Sequence, residues 1–304
     1  MLKEIKEVGK RGVIFQYEDQ NLVYLINGSK RLYLCDTHLG FDSMQAIKNY
    51  IKNKGYQAKE LVIFNSHSDY DHNWGNGAFN DNLIVAHQSN LARFKMIGEY
   101  ELEMKSKFKN GKVELVYPNL TFEKKLNFTD DKIEFIYAPG HTVDSTICID
   151  KVDNTAYIGD LVEAPIPMIL WHNLNKFIES LEYLKSLSVE RYIASHSGII
   201  SKKLINENIN YLRKILSGDK INFEDSRTQR IHNFNQKNIL INEFEAKARC
   251  KLGPNFNYKK FKINFWKELG VKEIELTDEF NYILKTNKEN LQKAFQKYFN
   301  SIKM

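Results

Sequence analysis

The residues with most chemistry in them lie between Leu61 and Gly77, in the run LVIFNSHSDYDHNWGNG. Leu61 to Phe64 has the character of a short buried strand. The chain then turns polar and places His67, Asp69, Asp71 and His72 within six positions, with Gly75 and Gly77 marking a turn beyond them. Two imidazoles and two carboxylates on a loop at the end of a core strand can converge on a point, as metal ligands do, because such a loop is held by its scaffold but free of ladder hydrogen bonds. Alternation puts His67, Asp69 and Asp71 on one side while the chain stays extended. The adjacent pair Asp71 and His72 must splay, so the loop can serve two metals rather than one. The competing reading is a polar turn whose Asp and Asn residues cap the following helix. Ligands elsewhere in the chain decide between the two.

The elements that would position such a site follow in order. Gly12–Tyr17, Leu22–Asn27 and Arg31–Cys35 read as strands, the last ending in Asp36, and residues 43–53 read as a helix. After the strand 61–64 come a strand at 83–86, which leads into His87, and a mostly helical stretch over 88–108. A strand at 133–137 ends in APGHT, which carries His141. Strands at 146–149 and 155–158 meet at the tight turn Asp153-Asn154, and the second runs into Gly159-Asp160. A helix over 174–187 precedes a strand at 191–194 that ends in Ser195-His196-Ser197-Gly198. This order, with its pattern repeated after about residue 130, predicts two sheets packed face to face with helices outside. The 65–74 loop, His141, Asp160 and His196 all fall at strand ends, and scattered histidines would not fall so regularly.

The ordered set SHSDYDH (66–72), PGHT (139–142), YIGD (157–160) and SHSG (195–198) resembles the metallo-β-lactamase fold superfamily of binuclear metallohydrolases, over roughly residues 10–200. The resemblance implies an α/β fold, a four-layer αβ/βα sandwich with the site at one edge between the sheets. It assigns His67, the residue at 69 and His141 to a first metal, and Asp71, His72 and His196 to a second, with Asp160 bridging. Asp36 matches a position that supports the site from behind the ligands. It also implies a hydrolase that uses a metal-bridging hydroxide on an ester, thioester, lactone or related bond. Asp71 would orient that nucleophile and carry protons. Two divalent ions are the implied cofactors, zinc first, with manganese or iron as options that Asp69 opens.

The sequence departs from the family pattern twice. Asp69 stands where a histidine usually does, and three readings stay open: ligation through oxygen, a mononuclear enzyme, or a degenerate site in a non-catalytic metal- or ligand-binding protein. The six other ligand positions are intact, which favours ligation. If Asp69 ligates, Asp69, Asp71, Asp160 and a hydroxide cancel the charge of two divalent ions. An acidic residue at this place also occurs in a diiron oxidoreductase branch of the superfamily; this chain has no glycine-rich phosphate loop for a flavin and would need a separate electron donor. The second departure is Asp144, where glycine is common, and it reads as a turn or cap. Trp171 and His172, in the segment leaving the Asp160 strand, are candidates for the substrate pocket. His87 reads as a hydrogen-bonded structural residue, and His38 and His232 as structural or surface residues.

At 304 residues the chain can build a large core. It divides into a metallo-β-lactamase-like domain over 1–200 and a C-terminal extension of unassigned role over 201–304. The extension reads as α+β: a helix over 202–216, a strand where Phe244, Ala246, Ala248, Cys250 and Leu252 alternate with charged residues, and a final helix over 291–302. It carries 21 Lys and Arg against 12 Asp and Glu, net +9, whereas residues 1–200 are net −3. These lysines are scattered, with no dense basic run of the kind nucleic acid binds. Cys35, Cys148 and Cys250 form no close pair in sequence, no apolar run approaches a membrane span, and Met1 to Lys10 lacks the apolar stretch of a signal peptide. The expected partner is a small-molecule substrate, with no membrane and no nucleic acid. The extension is the expected contact of a homo-oligomer, and the expected location is the cytoplasm.

Overall fold

Runs of Val, Ile, Leu and aromatic residues fold as two sheets whose facing surfaces are both apolar. In the computed structural model, which describes residues 1–19, 21–271 and 278–302, the first sheet takes its strands in chain order: β1 (Leu2–Val8), β2 (Gly12–Tyr17), β3 (Leu22–Asn27), β4 (Arg31–Cys35), β5 (Glu60–Phe64), β6 (Leu83–His87) and β7 (Leu120–Phe122). From β1 to β4 the pairing is antiparallel, and from β4 to β7 it is parallel. The parallel half needs crossovers. Helix α1 (Gln45–Asn53) joins β4 to β5, the single turn α2 (Tyr70–Asn73) lies between β5 and β6, and α3 (Gln88–Met104) follows β6. The second sheet contains β8 (Lys125–Phe128), β9 (Ile133–Tyr137), β10 (Thr146–Asp150), β11 (Thr155–Tyr157), β12 (Arg191–Ala194) and β13 (Gly198–Ile200), side by side in that order. Helix α4 (Leu174–Ser186) makes the crossover between the parallel neighbours β11 and β12.

Between the sheets, Tyr33, Cys35, Phe64 and Val85 meet Phe135, Cys148, Tyr157 and Ile193, and the rings of Phe64 and Phe135 stack at 4.2 Å. Full burial of each such side chain stabilises the fold by roughly 1.5–3 kcal/mol. On the outer faces, Ile47 and Ile51 of α1 cover Leu34, Ile63 and Ile84. Phe177 and Leu181 of α4, with Ile205 and Ile209 of α5 (Lys202–Ser217), cover Ala156 and Ala194. The layers are therefore helix, sheet, sheet, helix. β1 escapes the sequence reading because it is a charged edge strand, exposed along most of its length.

Beyond α5 the described residues form helices α6 (Ser226–Leu252), α7 (Tyr258–Glu268), α8 (Glu279–Lys285) and α9 (Lys288–Ser301). The strand expected over Phe244–Leu252 is instead the last part of α6, so the extension is helical and not α+β. Its buried residues, Phe234, Asn238, Ile241, Phe244 and Ala248, keep helical spacing. Of the residues that completed the apparent alternation, Ala246 is only partly buried and Cys250 is exposed. The Glu, Ala, Lys, Arg and Leu between them are good helix formers. Phe244 stacks on Phe295 of α9 at 4.2 Å, and this helical layer packs on Tyr100 and Met104 of α3.

Candidate metal centre

The carboxyl ends of β4, β5, β9, β11 and β12 converge at one edge between the sheets. Asp36 follows β4 in the left-handed region, with φ +62°. Its Oδ1 accepts the backbone N–H of Ser66 at 2.6 Å, and its Oδ2 accepts the Ser66 hydroxyl at 2.6 Å and the Tyr157 hydroxyl at 2.7 Å. Asp69 occupies the N-cap position of α2, yet its side chain makes no capping bond. The capping reading of the motif therefore fails for Asp69, whose carboxylate turns toward His67 and His141. Asp71 and His72 lie in the α2 turn, which supplies the splay that the extended chain lacks. Gly159, at φ +53°, brings Asp160 in; a Cβ there would stand 2.7 Å from the Ser66 Oγ.

The structure gathers all seven predicted ligands, six of them in two sets of three with Asp160 between. His67 Nε2 and His141 Nε2 lie 3.6 and 3.4 Å from Asp69 Oδ2. His72 Nε2 and His196 Nε2 lie 3.8 and 3.4 Å from Asp71 Oδ2. Asp160 Oδ2 stands between the sets, 3.2 Å from both His72 and His196, 3.7 Å from His67 and 3.8 Å from His141. Within each of the triads His67–Asp69–His141 and Asp71–His72–His196, one donor atom per residue lies within 4.8 Å of the others. The first triad is buried, whereas the Asp71 and His196 side chains are 19% and 27% exposed, so the second faces the mouth.

Without a metal, the carboxylates and imidazoles of this cluster charge one another. Burial opposes charge on Asp160, but His196 and His72 override it and hold the carboxyl well below the usual range. Asp71, likewise buried, is drawn down to about 2 by His72 and His196. Burial would lower the histidines, yet His72 is raised well above its ordinary value by Asp160, Asp71 and Asp36, and His141 is raised to about 9 by Asp69 and Asp160. The Nε2 atoms of His67, His72 and His141 and Oδ1 of Asp160 are buried without a hydrogen-bond partner. Orphaned imidazole nitrogens around a shared carboxylate are the donor set that divalent metals take, so the residues fit the divalent metal that the resemblance implies.

Arg93, on α3, escapes the sequence reading. Its Nη1 donates to Asp69 Oδ1 at 2.6 Å and to Ser68 Oγ at 2.7 Å, and its Nε lies 3.9 Å from Asp144 Oδ1. Burial opposes charge on Asp69, and Arg93 does most to hold its carboxyl well below the usual range, ahead of His141 and His67. The charge sum over Asp69, Asp71 and Asp160 therefore has to include a guanidinium and the Asp144 carboxylate that faces it. Asp144 lies in the expected turn, between β9 and β10; it is fully buried, and neither carboxylate oxygen has a hydrogen-bond partner. The missed signal was the position of Arg93 on α3, three residues after buried Asn90 and four before buried Ile97, because a charge on a buried stripe needs a partner.

Trp171 and His172 line a cavity of about 240 Å³ that opens beside Asp69 and Arg93. Phe234, Ile241 and Ala246 of α6 and Ile283 of α8 form its far wall. Glu101 of α3 also faces it, and burial pushes its carboxyl up to about 8, with Lys105 opposing. The other histidines have structural partners: His87 accepts from the backbone N–H of Ser89, His38 pairs with Asp19 at 2.8 Å, and His232 lies 3.1 Å from the Tyr211 hydroxyl. Among the described residues no helix is long and apolar enough to cross a membrane.

Residues 17–196 match the model of the metallo-beta-lactamase superfamily. With more than half of the chain matched, the protein belongs to that superfamily. Solved structures similar to it include the DIM-1 metallo-beta-lactamase, 16% identical over 71% of this chain and 100% of that one, with a TM-score of 0.57. A metallo-beta-lactamase from Pontibacter korlensis is 16% identical over 70% and 99% of the two chains, TM-score 0.54. One from Hirschia baltica is 13% identical over 69% and 96%, TM-score 0.53. At these identities the likeness is one of fold. No curated protein matches the sequence.

Proposed function

We propose that the protein is a metal-dependent hydrolase acting on an ester, thioester, lactone or related bond of a small molecule. The observation that carries this reading is the placing of Asp160 Oδ2 within 3.8 Å of Nε2 of four histidines, two from each triad. Divalent ions bound there supply Lewis acidity and lower the pKa of water toward neutrality. His67, Asp69 and His141 would hold one ion, Asp71, His72 and His196 the other, and Asp160 both. Asp71, on the more open side, orients the attacking water and takes its proton. The cavity beside Asp69, lined by Trp171 and His172 and also by charged residues such as Glu101, Lys105 and Arg249, accepts the substrate. No serine or cysteine nucleophile is required.

The test is metal analysis of protein purified without chelator, followed by assays on ester, thioester, lactone and phosphodiester substrates. Two ions per chain, with hydrolysis abolished by Asp71→Asn and by His196→Ala, are expected. A single ion per chain that excess metal does not change would overturn the binuclear assignment. A diiron oxidoreductase is the second reading, favoured by the carboxylate at position 69; iron as the bound metal, with oxygen uptake and no hydrolysis, would replace the first.

A further inference from the structure

The two places where the sequence departs from its family, Asp69 and Asp144, lie on either side of one arginine. Arg93 reaches Asp69 Oδ1 at 2.6 Å and Ser68 Oγ at 2.7 Å, while its Nε faces Asp144 Oδ1 at 3.9 Å. Its side chain is 18% exposed, that of Asp69 is 11% exposed, and that of Asp144 is fully buried. Arg93 holds Asp69 and Ser68 through one nitrogen, Nη1, and the charge of Asp144 across the guanidinium opposes its leaving the site.

We infer that Arg93 is a specificity-determining residue for the first metal position, making Asp69 act as a one-oxygen ligand of reduced charge in place of the usual histidine. The inference rests on the reading of His67, Asp69 and His141 as metal ligands. Two properties of a free carboxylate would distinguish it from imidazole at this place. It can ligate through both oxygens, and it brings a negative charge. Arg93 removes the first difference and reduces the second. Oδ1 is committed to the guanidinium, so only Oδ2, which faces His67 and His141, remains for a metal. The guanidinium offsets the charge of the Asp69 carboxylate it touches, although it also faces Asp144, so the triad presents two imidazoles and an oxygen donor whose charge is partly compensated. A bidentate, anionic Asp69 would favour harder ions such as manganese; a monodentate, partly compensated one keeps the compact nitrogen-rich set that suits zinc. Asp144 explains how a buried arginine can stay there: it lies on the far side of the guanidinium, away from the ligating oxygen.

The test compares native protein, Arg93→Gln, Arg93→Lys, Asp69→His and Asp69→His/Arg93→Gln, with His67→Ala as the reference for loss of the first ion. Each is dialysed against equimolar zinc and manganese and its metal content measured. The ligand-field spectrum of the cobalt-substituted protein is recorded, a readout independent of turnover. Arg93→Gln should lower the zinc-to-manganese ratio by roughly tenfold, the size of effect that residues behind metal ligands have, and should give a cobalt spectrum of higher coordination. Arg93→Lys keeps a charge but cannot span the same partners, and should fall between native and Arg93→Gln. Asp69→His leaves Arg93 facing a dication without its carboxylate, so it should bind the first zinc more weakly than Asp69→His/Arg93→Gln. That non-additivity is the signature of the pair. Native values for both Arg93 variants, with His67→Ala lacking one ion, overturn the inference alone, as does equal zinc binding by Asp69→His and its double variant. Two ions retained by His67→Ala overturn the ligand assignment and the inference with it.

Discussion

The Nδ1 nitrogen of His72 lies 2.9 Å from Oδ2 of Asp36, 36 residues earlier in the chain. That contact fixes the imidazole so that Nε2 points at Asp160, and it belongs to a carboxylate that also receives Ser66 and Tyr157. The left-handed backbone of Asp36 is uncommon for a residue with a side chain and persists because these partners over-determine it.

Asp36→Asn keeps the shape but replaces one acceptor oxygen with a donor, opposite groups that are donors themselves. Affinity for the ion held by His72 should fall 10–100-fold, and the fold should lose roughly 1–3 kcal/mol from the unpaired donors. Metal titration and thermal unfolding check the two separately. Unchanged metal affinity would mean that His72 is oriented by packing alone.

How much of this was legible in the sequence follows from what each residue needs. His67, His72, His141, Asp160 and His196 stand at strand ends, and an apolar run that stops at a ligand is visible without knowing the pairing. Asp36 was legible for the same reason. Arg93 was not, because its partners lie 24 and 51 residues away and meet it only once α3 has packed beside the motif loop. Phe244–Leu252 failed for a local reason: alanine and cysteine fit either period, so five small or apolar residues imitated a strand. Only the contact of Phe244 with Phe295 and the burial of Ala248 settle the helix.

Removing metal should change the pH at which the protein is most stable. In the metal-free site His141 is raised from 6.5 to about 9, so its contribution is complete below about pH 6.5 and disappears as pH rises through 9. Asp71 is lowered from 3.8 to about 2, so its contribution is present above about pH 4 and disappears as pH falls toward 2. Chelator-treated protein should therefore gain most from this site between those limits and lose roughly 3 kcal/mol from His141 on going to pH 9. With zinc present the slope should reverse above pH 6, because the imidazoles must shed protons to bind. A flat melting temperature from pH 6 to 9 in the stripped protein would contradict this account of the cluster.

Gly159→Ala tests the backbone that delivers Asp160. An alanine at φ +53° is strained, and its Cβ would lie 2.7 Å from the Ser66 Oγ and 3.0 Å from the Ser66 Cβ. The strain alone costs about 1–3 kcal/mol, and relief by moving residue 159 would carry Asp160 away from the histidines. Reduced stability together with reduced occupancy of both metal positions is expected. Loss of stability with full occupancy would separate the turn from the site.

The cavity beside Asp69 makes the last prediction, because it ties the helical extension to the reaction. Ala246 of α6 lines this space of about 240 Å³, across which Trp171 and Met168 belong to the segment that follows Asp160. Neither triad draws a ligand from α6, and Ala246 is only partly buried, so a larger side chain can enter the cavity without disturbing the core. Ala246→Trp should leave metal content and melting temperature close to native, while kcat/KM for the substrate identified in the panel falls at least about tenfold, the range in which one misfitting group in a pocket acts. A substrate with a smaller acyl or leaving group should lose less. Equal losses for large and small substrates, or none for either, would mean that substrate reaches the histidines from the Asp71 and His196 side, and that the helical extension does not shape specificity.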